Sequence, residues 1–227
     1  IFSAWPNDNP HYFVREGYVI VALGWVLVSL IGSFPYLLIG QNIGFTDAFF
    51  ESVSSYSTTG ASVFPVFSHF PQSLLFWRSF SLFLGGVGML VFVIFAMPRT
   101  GSEGVYIMKA ELTNPVSTKL TTRVSSSIKI YYLIYLALFI VLALLLVVFQ
   151  VPVFDAILLS FCIAGTGGFS VRPEGLRCYQ NPAVIPVMTL FMFLFGVNFG
   201  LYFLVVTGRW RKFFQNEELR WYLGFIL

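Results

Sequence analysis

The feature that most constrains this chain is where its charges are missing. Gly17 to Thr46, Ser79 to Pro98, Ile130 to Phe154 and Cys178 to Gly208 contain no Asp, Glu, Lys or Arg, and each gap is at least 20 residues long. A helix of about 20 apolar residues crosses the hydrocarbon core of a bilayer. Each gap therefore holds one span, predicted near 18–39, 75–97, 130–150 and 183–207, and a further apolar stretch begins near Trp221. Composition agrees. The chain is 57% hydrophobic and 10% charged with a mean hydropathy of +0.82, whereas soluble domains carry about 25% charged residues. So few charges cannot cover a soluble surface, which excludes a cytosolic enzyme, a disordered chain and a nucleic-acid binder as first readings, and a net charge of +3 gives little footing on phosphates. The first span is too long for the apolar region of a cleaved leader and is read as permanent. The absent start methionine and the apolar C-terminal end predict an interior piece of a longer protein.

Orientation follows from the basic residues. Of 13 Lys and Arg, ten fall in three segments: Arg15; Arg99, Lys109, Lys119, Arg123 and Lys129; and Arg209, Arg211, Lys212 and Arg220. Arg172 and Arg177 lie on the other side, and Arg78 sits just inside the second span. The positive-inside rule makes the N-terminus, the 98–129 loop and the 208–220 segment cytoplasmic. The 40–74 and 151–182 loops then face outward.

Those outward loops are unusual. FTDAFFESVSSYS (45–57) and VFDAILLSFCIA (153–164) are too apolar for exposed loops and too short to span, which predicts two re-entrant helices. Each leads into a small-residue tract, Ser57-Thr58-Thr59-Gly60-Ala61-Ser62 and Gly165-Thr166-Gly167-Gly168-Phe169-Ser170. Irregular backbone at membrane depth survives only when buried in protein or lining a water-filled path. Sliding the sequence by 108 residues sets 46–63 on 154–171 with seven of 18 positions identical, among them Asp47/Asp155, Thr58/Thr166 and Gly60/Gly168. The same offset pairs Gly88 with Gly196. The predicted unit is span, short helix, Gly/Thr tract, span. It occurs twice in one orientation, because an even number of crossings separates the copies. The fold class expected is an all-α membrane protein of tandem parallel repeats. Its segments are 1–16, repeat one 17–98, a connector 99–129 that is solvated and carries a short amphipathic helix, repeat two 130–208, and 209–227.

A short helix entering from outside aims its C-terminal end, about half a negative charge, at the membrane interior, where it favours a cation. The tract after it runs back outward, so Thr58, Thr59 and Gly60, with Thr166, Gly167 and Gly168, can aim carbonyl oxygens at a dehydrated cation. Glycine supplies the positive φ that lets successive carbonyls point one way. Carbonyl rings of this kind replace the hydration shell of K⁺ in channel filters. Asp47 and Asp155, at the helix starts, suit the N-terminal dipole and are read as caps, or alternatively as vestibule charges that attract cations.

FTDAFFESVSSYSTTGASV, SLLFWRSFSLFLGGVGMLVFVIFAMP and FDAILLSFCIAGTGGFSV together resemble the Trk/Ktr potassium-uptake family, in its TrkH-type membrane subunits; MKAELTNPVSTKLTTRV resembles that family's loop between its first two repeats. The resemblance covers nearly the whole chain from about Tyr12. It implies four repeats around one pore, of which two are present here, each giving one filter strand with a key glycine, Gly60 or Gly168. Potassium-coordinating positions then map to Thr59-Gly60 and Gly167-Gly168, with Thr58 and Thr166 just below. The resemblance also implies K⁺ as the transported ion and no cofactor. It implies a TrkA-type cytosolic nucleotide-binding regulatory subunit on the cytoplasmic face, a homodimer of the full-length protein, lipid around it, no nucleic-acid partner, and a multi-pass place in the bacterial cytoplasmic membrane. Two repeats supply half a filter, so these 227 residues alone are expected not to conduct.

The remaining features have plainer readings. Arg78 is read first as snorkelling to the outer interface, with a structural ion pair to Glu51 as the alternative. Trp77 reads as an aromatic-belt residue. Gly85, Gly86 and Gly88 allow close helix approach. His11 and His69 read as surface groups, and Cys162 and Cys178 as ordinary thiols. An intramembrane hydrolase using Ser62 or Ser170 needs a base beside its nucleophile, and no His or Lys lies in a predicted span core. A non-conducting scaffold explains the spans but not a duplicated Thr-x-Gly tract.

Overall fold

The computed structural model describes residues 14–39, 43–64, 70–88, 124–170, 172, 174–206, 208 and 210–226. Among them every regular element is helical: α1 (Val14–Leu38), α2 (Phe45–Tyr56), α3 (Gln72–Val87), α4 (Val124–Val148), α5 (Val153–Ala164), α6 (Val184–Gly196), α7 (Phe199–Val206), α8 (Trp210–Phe214) and α9 (Glu217–Ile226), with one turn of 3-10 helix at Gly175–Cys178. Most of the 99–129 connector, with its expected amphipathic helix, lies outside the described residues, as do His11 and His69.

Val21–Leu38 in α1 and Ile130–Val148 in α4 are long and apolar enough to cross a membrane. The packing of α1 is inverted relative to a soluble protein. On α1 the side chains of Leu23, Val26, Leu27, Ile31 and Phe34 are exposed, while Ser29, Ser33 and Tyr36 are buried. Burying Ser and exposing Leu reverses the usual ordering of residues by burial and suits helices that meet through small residues in lipid. Gly32 shows the closeness on this face: a Cβ there would lie 2.5 Å from the Ser52 hydroxyl of α2.

Two expected spans differ in form. The helix of the second ends at Val87, where Gly88 takes φ +73°, and residues 89–97 lie outside the described region. The fourth is broken. α6 stops at Gly196, Val197 is extended (ψ 139°), and α7 starts at Phe199. Apolar composition continues across the break, so a charge gap alone does not report it. The offset pairing of Gly88 with Gly196 marks both helix ends.

α3 lies between α2 and α5 and is the strut on which the rest is built. A buried cluster on α4, α5 and α6, with Leu142, Leu146, Leu158, Val184 and Met188 at its centre, extends to Phe83 of α3. Phe83 packs on Tyr135, Phe139 and Phe161 at centroid distances of 5.0, 4.9 and 4.9 Å. A smaller cluster of Tyr36, Ala48 and Leu74 joins α1, α2 and α3. Trp77 borders it and donates its indole N–H to the Gly32 carbonyl at 3.0 Å. It is a helix-to-helix link.

Candidate functional site: two paired Thr-x-Gly tracts

α2 and α5 each have 12 residues and start 108 positions apart. Three backbone bonds after them are matched, and the first tract adds a fourth, from Gly60 N–H to Ser54 O at 3.3 Å. Ser57 N–H donates to Val53 O at 2.8 Å and Gly165 N–H to Phe161 O at 2.9 Å. Thr58 donates to Ser55 O and Thr166 to Ile163 O (3.1 and 3.0 Å); Thr59 donates to Ser54 O and Gly167 to Cys162 O (both 2.9 Å). These i−3 and i−5 bonds form a Schellman ending, in which the residue after the C-cap takes the left-handed conformation and is usually Gly. Here that residue is Thr both times, with φ 55° at Thr58 and 52° at Thr166. A β-branched residue there is a steric outlier, with strain of the kind that concentrates at functional sites.

Two residues on, Gly60 and Gly168 take φ 71° and 67°, while Thr59 and Gly167 between them do not take positive φ. Alternation of this sort turns successive peptide units so that their carbonyls share a side. Among the described residues, the carbonyls of Thr58, Thr59, Thr166 and Gly167 accept no hydrogen bond. Thr59 and Gly168 are exposed, Gly167 is buried, and Thr166 is exposed at the foot of its tract. The fold brings the tracts together: a Cβ built on Gly60 would lie 1.8 Å from the Gly167 carbonyl oxygen. Around Gly168 nothing lies within 4 Å of such a Cβ. The two glycines share a conformation but not surroundings, so the expectation of equivalent positions holds for the backbone alone.

α3 supports both tracts at very short range. A Cβ on Gly85 would meet the Tyr56 carbonyl at 2.2 Å, and one on Gly86 would come within 3.0 Å of Gly165 Cα. Leu82 packs beneath the second tract, where Cβ atoms on Gly165 and Gly167 would approach it to 2.5 and 2.8 Å. The GGVG sequence signals close approach; that the neighbours are the two tract bases is visible only in three dimensions.

Arg78 is the correction of largest consequence. It is 2% exposed and does not snorkel. Its Nε donates to Glu51 Oε2 at 3.0 Å in a fully buried pair, and its Nη2 donates to the Gly60 carbonyl at 3.4 Å. Its guanidinium carbon lies 3.7 Å from the centroid of Phe169 in the second tract. The other Glu51 oxygen accepts from the Ser62 hydroxyl and, at 2.8 Å, from the Val63 N–H. A buried charge requires such compensation. The Ser62 hydroxyl is thereby a tether.

The acidic pair also differs from expectation. Neither carboxylate caps its helix: the N-caps are Gly44 and Pro152, with no side-chain cap bond at either. Both lie in the first turn, where the dipole favours them. Asp47 is exposed, whereas Asp155 is buried, accepts from Arg172 Nε at 2.8 Å and from the Tyr179 hydroxyl at 3.2 Å. Asp155 borders a cavity of about 300 Å³ with Arg172 and Tyr179. The hydrogen bond and charge of Asp155 raise the pKa of the exposed Arg172. Burial, then Asp155, raises that of Tyr179. Arg172 and Tyr179 come from the loop after the tract, where spacing gives no warning of either contact. No cluster of three or more His, Cys, Asp or Glu is placed to hold a metal among the described residues.

The family model for TrkH, a cation transport protein, matches residues 3–226. The chain belongs to that family. Its members are transport proteins, not enzymes. The chain is 32% identical over 225 residues to the Trk system potassium uptake protein TrkH of Escherichia coli K12, covering 97% of this chain and 47% of that protein. It is 36% identical over 191 residues to the protein of that name in Vibrio parahaemolyticus, covering 83% and 39%. The crystal structure of the potassium transporter TrkH from Vibrio parahaemolyticus superposes with a TM-score of 0.75 at 30% identity, over 96% of this chain and 44% of that one. The chain thus spans about half the length of the curated relatives it matches.

Proposed function

We propose that this chain is part of a potassium-uptake membrane subunit, and that its two Thr-x-Gly tracts line the ion path with backbone carbonyls. The observation that carries the reading is the matched pair of tracts. Each follows a 12-residue helix too short to span, each alternates φ sign through Thr-x-Gly, and they meet at Gly60 and Gly167. Carbonyls that keep a free lone pair are the ligand set that dehydrated K⁺ requires. Thr59, Gly60, Gly167 and Gly168 then coordinate the ion, and Thr58 and Thr166 add oxygens at the inner end. The C-terminal ends of α2 and α5 supply negative dipole ends toward the cavity below. Asp47 serves as a vestibule charge; Asp155, already paired, does not.

In this reading residues 17–98 and 130–208 are two parallel repeats of a bacterial cytoplasmic-membrane protein, separated by the connector 99–129. Residues 1–16 and 209–227 lie on the cytoplasmic side. A TrkA-type regulatory subunit docks on the face formed by 98–129 and 208–220, and the whole protein is a homodimer. K⁺ is cargo, and no cofactor is involved.

The test is uptake from the complete coding sequence in a host lacking potassium uptake. Wild-type protein restores growth at low K⁺. Gly168→Ser, which leaves packing untouched because no atom crowds that site, weakens discrimination of K⁺ from Na⁺. Unchanged discrimination at normal membrane abundance would place the filter elsewhere.

A further inference from the structure

The duplicated tracts are held by unlike means. At the offset of 108, Glu51 corresponds to Leu159 and Arg78 to Pro186, so the second repeat lacks the ion pair of the first. Its tract is wedged instead on Leu82. In the first repeat, Glu51 grips the outer end of the tract through Ser62 and Val63, and Arg78 grips its middle through the Gly60 carbonyl. Arg78 also reaches the other tract, stacking on Phe169.

We propose that Arg78, anchored by Glu51, is a specificity-determining positioning residue of the ion path, setting the direction and field strength of the Gly60 carbonyl and coupling the first tract to the second. This rests on the carbonyl-path reading given above. A carbonyl oxygen has two lone pairs. One is engaged from behind by the guanidinium, and the other remains for the ion. A charged donor polarises and orients the carbonyl it binds, and selectivity depends on the number and field strength of such dipoles. Glu51 neutralises the cation that would otherwise repel K⁺ from the path. Arginine suits the post because one planar fork can serve a carboxylate, a carbonyl and a ring at once; lysine, a single point charge, cannot.

Arg78→Lys keeps the charge and a partner for Glu51 but gives up the Gly60 bond and the stack. Phe169→Leu leaves the Glu51 pair intact and removes only the ring under the guanidinium. Both are made in the complete protein, with Gly168→Ser as reference. Membrane abundance, rubidium uptake and its inhibition by Na⁺ are measured for each. Arg78→Lys is expected to raise KM for rubidium and lower discrimination against Na⁺ about tenfold, with abundance and maximal rate within about threefold of wild type; Phe169→Leu is expected to shift discrimination in the same direction by a smaller factor. A merely structural ion pair changes abundance and leaves the KM and selectivity of the surviving protein alone. Wild-type selectivity in an abundant Arg78→Lys, or in Phe169→Leu should the lysine variant fail to accumulate, overturns the proposal. If Gly168→Ser is also silent, the carbonyl-path reading falls with it. If Gly168→Ser responds alone, only the role of Arg78 is lost.

Discussion

Gly60 and Gly168 have the same backbone and different neighbours, and alanine separates the two contributions. At Gly168, with φ 67° and no atom within 4 Å of the new Cβ, the substitution meets only the left-handed penalty, about 1–2 kcal/mol. At Gly60 the same penalty applies at φ 71°, and the Cβ would also sit 1.8 Å from the Gly167 oxygen and 2.7 Å from its carbon. These are backbone atoms, so no side chain can swing away; an ordinary contact requires the tracts to part by roughly 1.5 Å. Overpacking of this kind adds about 1–3 kcal/mol, so Gly60→Ala costs about 2–5 kcal/mol in all. The assay is thermal unfolding of detergent-solubilised full-length variants at one scan rate, since membrane proteins are compared by rate as much as by equilibrium. Gly60→Ala should melt well below Gly168→Ala, and Gly168→Ala slightly below wild type. Equal melting of the two, or the reverse order, would refute the claim that the tracts abut at Gly60.

Four further outcomes are expected. Gly85→Ala, whose Cβ would meet the Tyr56 carbonyl at 2.2 Å, should lose about 1–3 kcal/mol, measured by the same melts. Thr166→Asn, replacing a β-branched residue at φ 52° by one that tolerates the left-handed region, should stabilise by about 0.5–1 kcal/mol while lowering K⁺ uptake. Arg172→Ala should cost about 1 kcal/mol, because Asp155 loses its charged partner but keeps Tyr179. Cys178 is exposed and Cys162 buried, so an impermeant thiol reagent applied outside should label Cys178 and not Cys162, and Cys178→Ser should remove that label. Leu112→Cys in that background should stay unlabelled; labelling there would invert the topology.

Much of this arrangement can be read from the sequence, and the parts that cannot have a common cause. The tracts are legible because an internal match at a fixed offset carries its own register: Thr58 with Thr166 and Gly60 with Gly168 predict matched backbones, down to the shared φ signs. Arg78 is legible as an anomaly, a charge at the edge of an apolar run, but two readings survive until burial and the Glu51 contact choose between them. Asp47 and Asp155 look interchangeable in sequence and are not, because Arg172 and Tyr179 reach Asp155 from a loop. The break at Val197 is hidden by unbroken apolar composition. Asn198, the polar residue there, donates to both oxygens of Glu218, a contact that lies 20 residues away. Local pattern sets the elements, and long-range contacts set what differs between the two copies.

The most direct test of the central claim is anomalous diffraction from crystals of the full-length protein grown with thallium or rubidium in place of K⁺. Ion density is expected bounded on two sides by the carbonyl oxygens of Thr59 and Gly60 and of Gly167 and Gly168, with the hydroxyls of Thr58 and Thr166 at its inner end. Density confined to other segments, with these carbonyls turned away from every ion, would contradict it.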